Sequence, residues 1–315
     1  PLLRPVAQER LQLRDGLSHG LIGADKLVER LLIGLLTGGH LLIEGAPGLA
    51  KTRAVKRLSD GLDGSFARIQ CTPDLMPADL TGTTVWRQDA GDFEFLPGPL
   101  FHSLVLVDEV NRAPPKVQSA LLEAMAEGQI TVSGHTHALP NPFMVVATQN
   151  PIEHAGTFPL PEAQLDRFLL EIDVGYPDRA AERRILIETT GVDEHKPVAV
   201  MSTEALLTAQ RLVRRLPVGD AVVDAILDLV RAARPEGGDP ALAGKLLWGP
   251  GPRASQALTL AVRARALIEG RVAPSIADVK ALAEPVLKHR MALSFAARAD
   301  GETISGLIAQ LAGKL

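Results

Sequence analysis

The chain has 315 residues, enough for about two domains, and its 46% hydrophobic and 22% charged residues are ordinary for a globular protein. A net charge of −4 argues against the basic footprint of a sequence-independent nucleic-acid binder, although a locally basic channel in an oligomer stays open. Cys71 is the only cysteine, which excludes an intrachain disulfide, and the longest apolar run, 31–43, falls short of the ~18 residues of a membrane span.

Aromatic residues make up only 3%, so the core must be aliphatic. The chain begins at Pro1 without a methionine or a signal-like segment, which suggests a trimmed N-terminus and a cytoplasmic location. In chain order, helical periodicity over 24–36 precedes an apolar run at 40–44, and a helix at 52–62 precedes a run at 66–70. A run at 104–108 leads to a helix at 116–126, and further runs follow at 143–149 and 169–174. Short aliphatic runs alternating with helices predict an α/β fold whose parallel sheet is covered on both faces. Two hairpins are expected as insertions. One spans 81–96 and turns at Asp89-Ala90-Gly91-Asp92; the other spans 129–143 and turns near Gly134.

After Gly175-Tyr176-Pro177 the strand signals stop. Asp178 is a plausible N-cap for a helix to about 189. Helices are then expected over 203–215, 221–234, 253–269, 276–288 with an interruption near Pro285, and 302–314. The chain divides into an α/β domain at 1–176 and an all-α domain at 177–315.

The run at 40–44 leads directly into Gly45-Ala46-Pro47-Gly48-Leu49-Ala50-Lys51-Thr52 and then a helical pattern. This is the phosphate-binding G-x-x-x-x-G-K-[ST] loop in its strand–loop–helix setting, and it calls for ATP. Gly45 and Gly48 let backbone N–H groups curl around phosphate oxygens, and the helix N-terminus adds positive potential. Lys51 reaches the β- and γ-phosphates, while the Thr52 hydroxyl ligates Mg2+. Ala50 stands where the pattern has its second glycine; its methyl group is tolerated if its φ is negative.

The run at 104–108 ends in Asp108-Glu109, at the carboxyl end of a strand, where parallel sheets place ligands. Asp108 is assigned to hold the Mg2+, directly or through water, and Glu109 to polarise the attacking water. Glu109 favours hydrolysis over phosphoryl transfer to a second substrate. The run at 143–149 ends in Gln149-Asn150-Pro151, where Asn150 is the candidate for orienting water or sensing the γ-phosphate.

Together these residues resemble the AAA+ ATPases, and closely the MoxR family. The resemblance rests on 44–52 (E-G-A-P-G-L-A-K-T), 107–127 (V-D-E-V-N-R-A-P-P-K-V-Q-S-A-L-L-E-A-M-A-E), 147–151 (A-T-Q-N-P) and 158–168 (F-P-L-P-E-A-Q-L-D-R-F). It covers nearly the whole chain; the helical half matches mainly through Gly251-Pro252-Arg253. It implies a five-stranded AAA+ core with an all-α lid, and a ring, expected to be a hexamer. It also implies chaperone-like work on assembling or activating metal-dependent complexes, with partners carrying a von Willebrand factor A domain. By the same resemblance, Arg167 is an arginine finger for a neighbouring subunit, with an intrachain ion pair as the alternative. Arg253 matches the second sensor, or is a solvated helix-start arginine. Leu21-Ile22-Gly23 matches the adenine-contacting segment, or is an apolar lead-in to the first helix. Gln70 is a candidate to restrain Glu109, and Arg112 either reaches a neighbouring site or makes a local salt bridge.

The hairpins match the helix-two and pre-sensor inserts of a branch that includes magnesium-chelatase motor subunits and MCM-type helicases. Both activities stay open as alternatives. Yet 129–143 has no lysine or arginine, and 81–96 has only Arg87 against Asp89, Asp92 and Glu94, so nucleic acid is not an expected partner. His135 and His137 alternate on one arm without a nearby Cys/His set that would make zinc ligands of them.

Overall fold

The computed structural model describes residues 12, 15–17, 21, 23–89, 91–151, 156–189 and 200–315. Five aliphatic runs form its main sheet: β1 (Leu41–Gly45), β2 (Phe66–Gln70), β3 (Leu104–Asp108), β4 (Met144–Gln149) and β5 (Leu170–Val174). Their spatial order is β5-β1-β4-β3-β2, and every pairing is parallel. Side chains alternate across the sheet. Leu41, Ile43, Leu104, Leu106 and Val146 enter one core, while Leu42, Val105, Val107, Val145 and Ala147 enter the other. Both faces are apolar because both are covered.

Helices α1 (Asp25–Thr37) and α2 (Lys51–Asp60) bury Leu31, Leu35, Val55 and Leu58 in the first core. Helix α3 (Pro115–Glu127) buries Val117, Leu121 and Leu122 in the second. Registry then aligns the carboxyl ends of the strands: Gly45 lies opposite Val174, Glu44 opposite Gln149, and Asp108 opposite Gln70. The residues assigned to phosphate, metal and water chemistry therefore cluster at the carboxyl-terminal end of the sheet, with Lys51 and Thr52 opening the next helix.

The C-terminal region is mainly helical: α4 (Arg179–Thr189), α5 (Thr203–Arg215), α6 (Asp220–Ala232), α7 (Pro252–Ile268), α8 (Ile276–Leu287) and α9 (Ile304–Gly313). The Asp178 carboxylate accepts the Ala181 N–H at 2.8 Å, which is the cap expected for α4. Two departures from expectation have simple causes. Pro285 does not interrupt α8; it is buried in the last turn, and the helix runs on to Leu287. Pro285 has no N–H to give the Ala281 carbonyl, so one bond of the ladder is missing, and the helix is held there by burial of Leu282, Val286 and Leu287 around the ring. Short strands also occur in this region. Leu246–Trp248 pairs with Ala292–Leu293, and Met201–Ser202 pairs with Leu62–Asp63 from the first half. Pairings of two or three residues are too short to show an alternation in sequence.

Both hairpins form, as Gly82–Arg87 with Asp92–Pro97 and Gln129–Val132 with His135–Ala138. His137 stacks on Phe95 with ring centroids 3.9 Å apart, so it joins the two hairpins. His135 Nδ1 lies 3.2 Å from the Ser133 carbonyl oxygen.

The first core continues from the sheet into α5, α6, α7, α8 and α9. Just beyond α8, Lys288-His289-Arg290 fastens the helical region to the sheet. Lys288 Nζ lies 3.2 Å from Glu44, 3.0 Å from Glu171 and 2.6 Å from Asp173. These three acids are the one trio with metal-ligand spacing among the described residues, and Lys288 supplies their cation. Burial pushes the Glu171 carboxyl up against the pull of Lys288. Burial alone would lower the Lys288 ammonium, but the carboxylates outweigh it and raise it. Arg290, almost fully buried, donates to Asp166 at 2.7 Å and to the Phe168 carbonyl at 2.6 Å.

Two buried histidines make stability depend on pH. His40 lies 3.2 Å from the Met125 carbonyl and accepts the Val145 N–H at 3.0 Å, and burial lowers its pKa to about 4. Burial also lowers His289 well below the ordinary value of 6.5. Below pH 6.5 the unfolded chain takes up protons that the folded chain refuses, so stability falls with pH. For His40 the loss runs from 6.5 down to about 4, at about 1.4 kcal/mol per pH unit. Glu171, raised by burial, acts in the opposite sense in both proteins, so the test is the difference: urea unfolding at pH 7.5, 6 and 5 should show His40→Gln losing less stability than the parent as pH falls. Equal slopes in parent and variant would remove His40 from this account.

Candidate active site

The loop between β1 and α2 is shaped by two constraints. A Cβ at Gly45 would lie 2.6 Å from the Val174 carbonyl oxygen, so β5 passes too close for any side chain there. Gly48 has φ +81° and open space around its Cβ position, so its requirement is conformational. Ala46 and Leu49 are half-buried, whereas Pro47, Gly48 and Ala50 are exposed. Ala50 corrects the sequence expectation of a negative φ: it stands at φ +57°, in the left-handed region. That conformation costs an L-residue about 1–2 kcal/mol, and it reverses the chain just before Lys51 starts α2. Such alternation of backbone hand turns successive N–H groups into a concave anion cradle.

Lys51 Nζ donates to the Gly45 carbonyl at 2.5 Å and to the Gln149 carbonyl at 3.3 Å, so it lies across the loop toward β4. Burial lowers its pKa, while Asp108, Glu109 and Glu44 pull it upward. Thr52 Oγ1 donates to Asp108 Oδ2 at 3.1 Å. Asp108 is 6% exposed and also accepts from Thr148 Oγ1 at 2.8 Å. A hydroxyl and a carboxylate facing each other at the end of the phosphate loop are hard oxygen donors, which fit Mg2+.

Glu109 is a second non-glycine residue with positive φ, at +56°. Its N–H donates to Thr148 Oγ1 at 3.0 Å, which holds this turn against β4. Its carboxylate accepts from Gln70 Nε2 at 3.0 Å and from Arg112 at 3.1 Å. Gln70 therefore contacts Glu109 as expected, and Arg112 makes the local salt bridge. Asn150 is buried at the end of β4, where its carbonyl accepts from Asn111 Nδ2 at 3.3 Å.

Of the two arginines placed by resemblance, Arg167 follows Asp166 in the chain and Arg253 faces it. Arg167 is half-buried and donates to the Leu122 carbonyl of α3. Arg253, in the first turn of α7, is 62% exposed in its side chain, and its NH1 lies 3.8 Å from Asp166. Gly23 has φ +74°, and a Cβ there would meet Ala181 Cβ at 2.5 Å, so the segment before α1 packs tightly on α4. Ile22 lies outside the described residues.

Two features escaped the sequence reading. Arg68 on β2 donates Nε to Asp108 Oδ2 at 2.9 Å, and its NH2 lies 2.7 Å from the same carboxylate. The available signal was its position two residues before Gln70, which puts both side chains on one face of a strand. The Lys288-His289-Arg290 fastening had no local signal, because its partners lie more than a hundred residues away.

With this geometry established, comparison with known proteins is direct. Residues 40–170 match the ATPase family associated with various cellular activities (AAA), and residues 244–311 match the AAA lid domain. The chain is 45% identical over 282 residues to Chaperone MoxR1 of Mycobacterium tuberculosis, covering 89% of this chain and 74% of that protein. It is 31% identical to Protein MoxR of Methylorubrum extorquens, covering 88% and 85%. The crystal structure of a candidate ATPase from Cytophaga hutchinsonii superposes with a TM-score of 0.92 at 38% identity, covering 100% of this chain and 96% of that one.

Proposed function

The chain belongs to the MoxR family of AAA+ ATPases, and on that premise we propose that it binds and hydrolyses ATP with Mg2+ to remodel protein complexes. The observation that carries this reading is the convergence of Lys51, Thr52, Asp108 and Glu109 at the carboxyl ends of the strands. Phosphate oxygens would replace the Gly45 and Gln149 carbonyls as acceptors for Lys51. Thr52 and Asp108 would hold the metal, which when bound offsets charge on the phosphates. Glu109 would polarise the attacking water once Gln70 and Arg112 release it, and Asn150 would orient that water.

In this reading residues 1–176 form the nucleotide-binding domain and 177–315 the lid. The base would lie near Ile22-Gly23, and Arg253 would report the γ-phosphate to the lid. Arg167 would complete the site of the next subunit in a six-membered cytoplasmic ring. The client is a protein assembly, with a partner carrying a von Willebrand factor A domain in keeping with the family resemblance. The hairpins support a protein over a nucleic-acid client: Arg87 pairs with Glu94, so the one cation of the first hairpin is already neutralised.

Purified protein should release phosphate from ATP in the presence of Mg2+ and stop when EDTA is added. It should leave the fluorescence anisotropy of single- and double-stranded oligonucleotides unchanged at physiological salt. Tight oligonucleotide binding in the presence of ATP would sink the chaperone reading and favour a nucleic-acid motor.

A further inference from the structure

Arg68 has no part in the mechanism above, yet it contacts the carboxylate at the centre of it. Its guanidinium holds Asp108 through Nε at 2.9 Å and NH2 at 2.7 Å, with the arginine side chain half exposed and the aspartate 8% exposed. The same NH2 donates to Gln70 Oε1 at 3.2 Å. That bond leaves the other end of the Gln70 amide, Nε2, to donate to Glu109 at 3.0 Å. One side chain thus touches the carboxylate assigned to the metal and sets the orientation of the amide that tethers the carboxylate assigned to water.

Other acids near the site are differently placed. Glu44 is taken by Gln149 at 3.1 Å and by Lys288 at 3.2 Å, and Arg112 faces Glu109. Asp108 accepts from Thr148 at Oδ1 and from Thr52 at Oδ2, and Arg68 reaches Oδ2 from the edge strand β2.

We propose that Arg68 is a resident counter-cation that magnesium must displace from Asp108, and that this displacement loosens the Gln70 tether on Glu109. The proposal rests on the nucleotide-site reading above. Two cations cannot share one carboxylate oxygen without strong repulsion. Metal loading therefore moves the guanidinium off Oδ2. The Gln70 amide then loses the donor that fixes its orientation and becomes free to turn. Loading of the metal and readiness of the catalytic carboxylate are coupled through a single arginine.

The test is an equilibrium one. A fluorescent, non-hydrolysable ATP analogue is titrated at increasing Mg2+, and the Mg2+ concentration giving half of the affinity gain is read. Arg68→Gln should lower that concentration by about fivefold or more, because the competitor is gone. Arg68→Lys should stay close to the parent, since it keeps the charge. Melting curves establish that each variant folds. A second arm measures phosphate release at saturating Mg2+ for Arg68→Gln, Gln70→Ala and the double variant. If both residues act through one tether, the double variant changes no more than the larger single effect. An unchanged or raised Mg2+ midpoint in Arg68→Gln overturns the displacement, and fully additive effects overturn the tether. If instead Mg2+ leaves analogue affinity unchanged in the parent protein, the nucleotide-site reading itself fails.

Discussion

Glu109→Gln is expected to bind ATP with nearly parental affinity and to release phosphate about a hundredfold more slowly or worse, whereas Lys51→Ala should lose binding itself. The distinction follows from where the two groups stand. Lys51 lies across the loop, where phosphate oxygens would take over from the Gly45 and Gln149 carbonyls. Losing a charge-assisted contact of this kind costs about 1.5–3 kcal/mol, or about ten- to a hundredfold in affinity. Glu109 stands one residue beyond Asp108, and its backbone is fixed by Thr148. Glutamine retains its size and can still meet Arg112 and Gln70, so the turn should survive while the capacity to accept a proton is lost. Equilibrium binding of a fluorescent ATP analogue, run beside phosphate release, separates the two roles. Parental hydrolysis by Glu109→Gln would remove it as the catalytic carboxylate.

The α/β half was legible because its signals are local. Strands buried on both faces read as unbroken aliphatic runs such as Leu104-Val105-Leu106-Val107, and the residues that end them fall at one end of the sheet because parallel strands share a direction. The phosphate loop was legible from its glycines and lysine, but its conformation was not. The sequence shows Ala50 in a glycine position; only the fold shows that the alanine adopts the left-handed backbone there. Contacts between distant segments were the least legible. Nothing in Lys288-His289-Arg290 distinguishes it from a basic helix end, a common arrangement that suits the helix dipole. The three carboxylate partners of Lys288 lie on β1 and β5, and their relation to it exists only after folding. Arg68 is an intermediate case: the strand pattern places it beside Gln70, but its contact with Asp108 depends on the pairing of β2 with β3.

Arg167→Ala is expected to bind ATP nearly normally and to hydrolyse it about a hundredfold more slowly or worse, because an arginine finger acts mainly in the transition state. In the structure Arg167 rests on the Leu122 carbonyl of its own chain. Its neighbour Asp166 is held by Arg290 at 2.7 Å and faces Arg253 at 3.8 Å. The segment carrying Arg167 is therefore fastened to the helical region, and a shift of that region would move Arg167 with it. A finger acting across subunits makes a sharper prediction. Arg167→Ala and Lys51→Ala protein should each be nearly inactive alone. When mixed equally with random exchange, about a quarter of interfaces would pair an intact Lys51 site with a neighbour's intact Arg167. Hydrolysis should then partly return. Native mass spectrometry would first establish that subunits exchange. If they do and no activity returns at any ratio, specific activity across a dilution series of the unmutated protein separates two explanations. Activity that falls on dilution means that the ring demands every site intact, whereas activity independent of concentration means that Arg167 serves its own subunit and that the assignment across subunits is wrong.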